Sequence, residues 1–388
     1  MTPAARIAAA IEILDRYLSG APAEKVLTSW ARAHRFAGSG DRAAIRDHVY
    51  QAIRCRASYG WLGGGETGRA LMIGQARACG WTLGELFSGI AHAPPPLAPG
   101  EGGASDLAGA PDPVRHDCQP WVWQRLADHG EDRAPILAAM QSRAAIHLRA
   151  NLLKTTPARA IAALEEEGFA AAPHPLSPTA IEVAAPARGL RQARAFASGL
   201  VEFQDAASQA VVDFVRPGPG ETVLDYCAGG GGKTLALAAL TGAQVCAHDA
   251  RPARMAGLDA RAARAGAAVR VIAQASAITS QFDLVFCDAP CSGSGSWRRD
   301  PEGKWALSPE RLTALGALQM RILEDAGRHV GPGGRLAYAT CSVLGEENAE
   351  RVAAFLDNNP DWQQGCSKQF TPLDGADGFF VAVMSRRN

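Results

Sequence analysis

Cys291 and Cys341 stand fifty positions apart, and each follows a stretch that reads as a buried β-strand. Phe282 to Asp288 is an almost unbroken apolar run that leads into Asp288-Ala289-Pro290-Cys291-Ser292-Gly293-Ser294-Gly295. Arg335 to Cys341 is a second strand-like run, ending in Ala339-Thr340-Cys341-Ser342. Thiols are good nucleophiles because a few per cent of a free thiol is already thiolate near neutral pH, and nearby positive charge raises that fraction. One reaction uses such a set in full. Carbon 5 of cytosine does not take a methyl group unaided, but a thiolate added to carbon 6 turns it into an enamine-like nucleophile. An acid at ring nitrogen 3 favours the addition, and a base must later remove the carbon 5 proton so that the thiol can leave. The chain offers Cys341, Asp288, Cys291 and, upstream, a glycine turn for a methyl donor. A cysteine taken alone reads as a small buried hydrophobe. Cys287, inside its strand, keeps that reading, and Cys227 reads either way, as core or as pocket lining.

The glycine turn is Val223-Leu224-Asp225-Tyr226-Cys227-Ala228-Gly229-Gly230-Gly231-Gly232-Lys233-Thr234, a strand, a turn and a helix start. Glycines let the backbone approach a ligand closely, and a helix start presents free N–H groups. A triphosphate loop would need a glycine where Cys227 stands, which weakens that reading. Asp249, at the end of the next strand, could accept hydrogen bonds from a ribose diol or cap the helix near Pro252. The turn and this acid do not by themselves separate a dinucleotide from an adenosine cofactor.

These residues need a frame. From Gly220 onward strand-like and helix-like segments alternate: Thr222–Asp225, a helix from Thr234, Ala243–Asp249, a helix from about Pro252, Val269–Ala273 and Phe282–Asp288. Ser308-Pro309 starts a long helix that stops near Gly331, followed by Arg335–Cys341, a helix from about Glu346 and Phe379–Met384. The pattern predicts an α/β, doubly wound, Rossmann-like parallel sheet with helices on both faces, binding ligands at the carboxyl ends of its strands. Ile146–Asn151, Pro157–Gly168 and Ala180–Val183 read as strand, helix and strand of a small α+β unit. The first sixty residues read as helices, with Gly38-Ser39-Gly40 as a break and Asp41 as an N-cap. Between Ala93 and Pro113 the Pro and Gly clusters predict a linker or long surface loop, and Pro120, Trp121 and Trp123 open a further helix. The expected division is a helical domain over 1–140, a small α+β module over 141–205 and a catalytic domain over 206–388.

Composition narrows the class. With 47% hydrophobic and 20% charged residues the chain is an ordinary globular one, and its formal charge of zero gives no bulk argument for nucleic acid. Residues 1–60 nevertheless hold nine Lys/Arg against five Asp/Glu, a solvated helical face or an RNA patch. The nine cysteines form no CxxC pair, so no zinc ribbon or other metal site is expected. No apolar run spans a bilayer and no leader pattern is seen, so the expectation is a cytoplasmic protein with no membrane partner.

The segments resemble the RNA 5-methylcytosine methyltransferases of the RsmB/Sun/Nop type. That family carries D-x-C-A-A-P-G-G-K-T, here Asp225 to Thr234, and D-x-P-C-S-G-x-G, here Asp288 to Gly295. An R-R-x-P and a K-W follow, here Arg298-Arg299-Asp300-Pro301 and Lys304-Trp305. Its T-C-S and E-N segments stand as Thr340-Cys341-Ser342 and Glu347-Asn348. Phe203-Gln204-Asp205, Ser208-Gln209 and Gly378-Phe379-Phe380 also look like family segments. The resemblance, over roughly residues 145–388, implies that Cys341 attacks carbon 6 and that Cys291 assists release. It further implies that Asp288 contacts the base with Lys233 close by, and that Cys227, Ala228, Gly229, Gly230, Gly231, Gly232, Lys233, Asp249, Gln274 and Asp288 surround S-adenosylmethionine. Two positions depart: Gly229-Gly230 replaces Ala-Pro, which loosens the turn, and Gln274 replaces an acid. The amino-terminal part looks similar to a NusB-like helical domain, through Asp41-Arg42, Val49-Tyr50 and Ile53-Arg54. The 145–200 unit looks like the family's RNA-binding module, with Leu148-Arg149-Ala150-Asn151 as its strand. Together they imply a monomer acting on an unpaired or flipped cytosine of small-subunit RNA, not on DNA. A tRNA cytosine methyltransferase and a catalytically silent assembly factor are the alternatives.

Overall fold

The computed structural model describes residues 1–387, which form two compact units: Met1–Arg143 with Trp297–Ala306, and residues 144–296 with the chain from Leu307 onward. In the first unit, helices Pro3–Leu18, Ala23–Ala33, Ser39–Arg54, Arg56–Gly63 and Gly68–Ala78 bury one apolar cluster. Ile7, Ile13, Leu14, Trp30, Ile45, Val49, Ile53 and Leu71 are at its centre. Helix three begins two residues before Asp41. Asp41 is therefore at its third position, not its N-cap, where its carboxylate accepts the Gly38 N–H (3.3 Å) and pairs with Arg6. Residues 93–113 run as a loop over this unit. Gly103 donates to the Leu62 carbonyl, Arg69 pairs with Glu101, and Pro113 is the second residue of a four-residue helix, Asp112–Arg115.

Trp297–Ala306, read above with the catalytic domain, packs among these helices. Lys304 is buried, with its ammonium on the Arg54 carbonyl (2.6 Å), and the Trp305 indole donates to the Ile53 carbonyl (2.6 Å). The K-W segment thus completes a helical core. No helix among the described residues is long and apolar enough to cross a membrane.

The second unit holds two sheets. Strands β1 (Ile146–Ala150), β2 (Ala171–Pro173), β3 (Ala180–Val183) and β4 (Val201–Phe203) pair antiparallel in the order β2-β3-β1-β4. The larger sheet contains β5 (Val223–Asp225), β6 (Val245–His248), β7 (Val269–Ile272), β8 (Phe282–Asp288), β9 (Val330–Thr340), β10 (Trp362–Phe370) and β11 (Phe379–Arg386). Its order is β10-β11-β9-β8-β5-β6-β7. The expected parallel arrangement holds for the five strands from β9 to β7, while β11 is antiparallel to both β9 and β10. The chain passes from β10 to β11 through residues 371–378 without a crossover helix, and a short connection can only reverse direction.

Winding changes hand between β5 and β8, so the carboxyl ends of these two strands flank the cleft that such sheets use for ligands. β8 is buried on both faces, from Leu284 through Cys287, which is why its sequence reads as a run and not as an alternation. β1 is likewise buried on both faces, and its polar side chains face the larger sheet's helices. The Arg149 Nη1 donates to the Gly232 carbonyl (2.6 Å), and the Asn151 amide donates to the Gly199 and Ala265 carbonyls (2.8 Å each). Arg149 and Asn151 are thus anchors between the small sheet and the helices of the larger one.

Candidate active site

The parallel pairing of β8 with β9 sets Asp288 opposite Ala339, two residues before Cys341. The chain beyond β8 turns back through Ala289-Pro290, so the Sγ atoms of Cys291 and Cys341 come within 3.3 Å of each other. The loops carrying them are stitched together. Gly295 N–H donates to the Cys341 carbonyl (2.9 Å), the Ser294 and Ser342 hydroxyls are 2.8 Å apart, and Val343 N–H donates to Ser294 Oγ (2.9 Å). A third loop joins them: Gly378 N–H donates to the Gly295 carbonyl (2.8 Å), at an approach where a Cβ on Gly295 would lie 2.0 Å from the Gly378 oxygen. This contact sets Phe379 beneath Lys233, whose ammonium lies 4.8 Å from the ring centre. The Lys233 ammonium also binds Asp288 Oδ2 at 2.7 Å, which links the glycine-turn helix to the end of β8.

Burial and neighbouring charge hold three cysteines of this region as thiols. The adjoining Cys341 thiol, burial and the nearby Glu347 carboxylate push the Cys291 thiol well above its ordinary range. Burial does the same to Cys287, which lies inside β8, as expected. Cys227 is also pushed well up, by burial first and then by the carboxylates of Asp225, Asp288 and Asp249. Three acids therefore act on one point of the cleft, at the end of β5.

The glycine turn is tied at several points, although its sequence reads as loosened. Gly229 N–H donates to Asp249 Oδ2 (2.9 Å), the Arg261 guanidinium binds the Gly230 carbonyl, and Gly231 N–H closes on the Ala228 carbonyl (2.8 Å). Arg261 is itself held by Glu202 on β4 (3.5 Å), so the small sheet supports the turn from two sides, through Glu202 and Arg149. Asp249 is buried and busy: it also accepts from Arg254 Nη1 (3.1 Å) and from the Arg251 N–H (2.8 Å). Asp249 thus ties the glycine turn to the turn that follows β6. Gln274 stands exposed two residues beyond β7, and its carbonyl accepts the Ala277 N–H. Spacing gave no sign of the roles of Glu202, Arg254 and Arg261, because each reaches the turn from an element distant in sequence.

Residues 212–377 match the family described as 16S rRNA methyltransferase RsmB/F, and residues 119–188 match its ferredoxin-like domain. The ribosomal RNA small subunit methyltransferase B of Vibrio cholerae is 34% identical over 71% of this chain and 67% of its own length. The chain belongs to the RsmB/F family. The enzyme of the same name from Cronobacter sakazakii is 36% identical over 69% of this chain, and the match spans 63% of that relative's length. A solved methyltransferase homolog from Pyrococcus horikoshii is 25% identical, with a TM-score of 0.63 over 71% of this chain and 98% of its own. The RsmB/F cofactor is S-adenosylmethionine, and the cleft suits it. The cofactor is a sulfonium cation, and the acids around Cys227 converge beside backbone N–H groups at a helix start.

Gly231 is the residue the turn tolerates least in any other form. Its φ is +82°, and a Cβ there would lie 2.2 Å from Leu258 Cδ1. Gly231→Ala is expected to destabilise the chain by about 1–3 kcal/mol and to weaken S-adenosylmethionine binding at least tenfold. Urea unfolding and titration calorimetry check both, and an unchanged affinity would remove the turn from the cofactor site.

Proposed function

We propose that this chain methylates carbon 5 of a cytosine in small-subunit ribosomal RNA, in the bacterial cytoplasm, as a monomer, through a covalent bond between Cys341 and carbon 6. The observation that carries this reading is the thiol pair, 3.3 Å apart beside the Lys233–Asp288 ion pair at the end of the cofactor cleft. When bound, S-adenosylmethionine supplies an electrophilic methyl group. The chain does the rest. Cys341 thiolate adds to carbon 6, and the displaced electron pair makes carbon 5 nucleophilic. Asp288, held by Lys233, meets the pairing edge of the base. After carbon 5 has gained its methyl group, its proton passes to solvent water, the 5,6 double bond re-forms and Cys341 leaves as thiolate. Cys291, whose thiol stays protonated, assists that release.

RNA as the partner draws support from the helical unit. A groove of about 620 Å³ there is lined by Arg32, Arg35, Arg42 and Arg46, all exposed, with Trp30 and Leu27 at its base. Four guanidiniums on one groove suit phosphate oxygens. We propose that residues 1–140 carry this contact, that 141–205 brace the cofactor turn, and that 206–388 hold the chemistry.

The deciding experiment is bisulfite sequencing of ribosomal and transfer RNA from a strain lacking the gene. One cytosine of small-subunit RNA should lose its protection. Loss in transfer RNA instead would favour the tRNA alternative. No loss, together with no S-adenosylmethionine binding at millimolar concentration, would leave an assembly factor.

A further inference from the structure

We propose that Glu347 and Asn348 are the positioning residues of the cysteine pair, Glu347 gripping the Cys291 loop and Asn348 the Cys341 loop from one turn after β9. The assignment rests on the reading of the two thiols given above. The Glu347 carboxylate is fully buried, where an ionised group survives only with enough donors around it. It has three. Ser292 N–H (2.8 Å) and the Gln319 amide (3.1 Å) donate to Oε1, and the Ser292 hydroxyl (2.5 Å) donates to Oε2. Gln319 also donates to the Pro290 carbonyl (3.0 Å). Cys291 is thus held on both sides, at Pro290 and at Ser292.

Asn348 does the same for the other cysteine. Its amide donates to the Ser342 carbonyl (3.0 Å), and its Oδ1 accepts the Thr340 hydroxyl (2.6 Å), so Cys341 is held at Thr340 and at Ser342. Gln369 on β10 reinforces this, accepting from Asn348 (2.8 Å) and donating to the Ser342 carbonyl (3.1 Å). The Tyr338 hydroxyl donates to the Glu347 carbonyl (2.7 Å) and fixes the turn to its own strand. The two grips are neighbours in sequence, so one turn holds both loops, each through its own side chain. Misplacing a reacting group by about 1 Å can cost roughly 10²-fold in rate, so this shared turn sets how well attack and release are matched.

The test has two arms, both on the full-length chain. In the first, no RNA is present. Diamide takes the two thiol hydrogens and leaves a Cys291–Cys341 disulfide, which peptide mass spectrometry counts over time. The unmodified chain should couple readily. Glu347→Ala and Asn348→Ala should each couple at least tenfold more slowly, and Glu347→Gln, which keeps an acceptor for Ser292 N–H, should stay within threefold. Normal coupling in both alanine variants, or none in the unmodified chain, overturns the proposal. In the second arm, single-turnover reactions use transcribed, unmodified small-subunit RNA. Glu347→Ala should slow release and accumulate adduct, while Asn348→Ala should slow adduct formation. Equal slowing of both steps in each variant overturns the assignment. Should Glu347→Ala fail to fold, Ser292→Ala decides: release slowed at least threefold with formation unchanged supports the grip, and an unchanged partition refutes it. If Cys341→Ala still forms adduct, the reading of the thiols fails, and the diamide arm alone judges the grip.

Discussion

Cys341→Ala is expected to abolish methyl transfer, by more than about 10⁴-fold, and to form no protein–RNA adduct, because the Cys291 thiol, 3.3 Å away, is held protonated. Cys291→Ala should behave differently. Attack proceeds, release stalls, and a protein–RNA species that survives denaturing electrophoresis accumulates with S-adenosylmethionine and RNA. The double variant should form no adduct, since formation precedes release. Filter-bound methyl label and denaturing gels check all three. If Cys291→Ala abolishes labelling while Cys341→Ala accumulates adduct, the roles are reversed.

The surroundings of the two thiols give this assignment a physical footing apart from family likeness. They are 3.3 Å apart, so one negative charge on the pair disfavours a second. The Glu347 carboxylate, bound to the residue after Cys291, places its charge on the Cys291 side. Cys291 is therefore the thiol held protonated.

The legible part of this fold was the part whose local pattern and tertiary place agree. β8 could be bounded to the residue because burial on both faces makes an apolar run, and Asp288 marks where the run meets the cleft. Ser308 and Pro309 announced their helix, and Ser308 Oγ does accept the Arg311 N–H (3.2 Å). β10 escaped because Gln363 to Lys368 are exposed along an edge strand, and an unburied edge leaves no alternation to read. β4, three residues long, is too short to carry a period. At the site, residue types and strand ends pointed to Cys291, Cys341 and Asp288. The Glu-Asn pair was visible only as a motif, because its partners Ser292, Gln319 and Ser342 lie on three separate segments. The anchoring by Arg149 and Asn151 was hidden for a similar reason: sequence shows a polar residue, and only the fold shows whether it faces water or a carbonyl.

Asp225 leads to an expected loss of stability as pH rises. It ends β5, is almost wholly buried, and is pushed up to about 7, above all by burial, with the Asp288 charge adding to it. The Thr234 hydroxyl, bound to Oδ2 at 2.6 Å, Lys233 and the Cys227 N–H oppose the shift without cancelling it. In the unfolded chain the same group ionises near 3.8. Between these two values the folded chain holds the proton more tightly, so the stability contributed by neutral Asp225 is complete below pH 4. It declines as pH rises through 7 and is level above. Asp225→Asn keeps an acceptor for Thr234 and removes the titration. The stability of the variant relative to the parent should therefore rise by about 2–3 kcal/mol between pH 5 and pH 8. Urea unfolding followed through hydrogen-exchange protection of β5 peptides would show it, and a difference independent of pH would refute it. The consequence reaches the site, because the glycine turn starts directly after Asp225. At neutral pH the parent holds that turn on a strand end that is partly charged and buried, whereas the variant holds it on a neutral one. A variant that is more stable yet binds S-adenosylmethionine more weakly would mean that this acid serves the cationic cofactor at the expense of the fold.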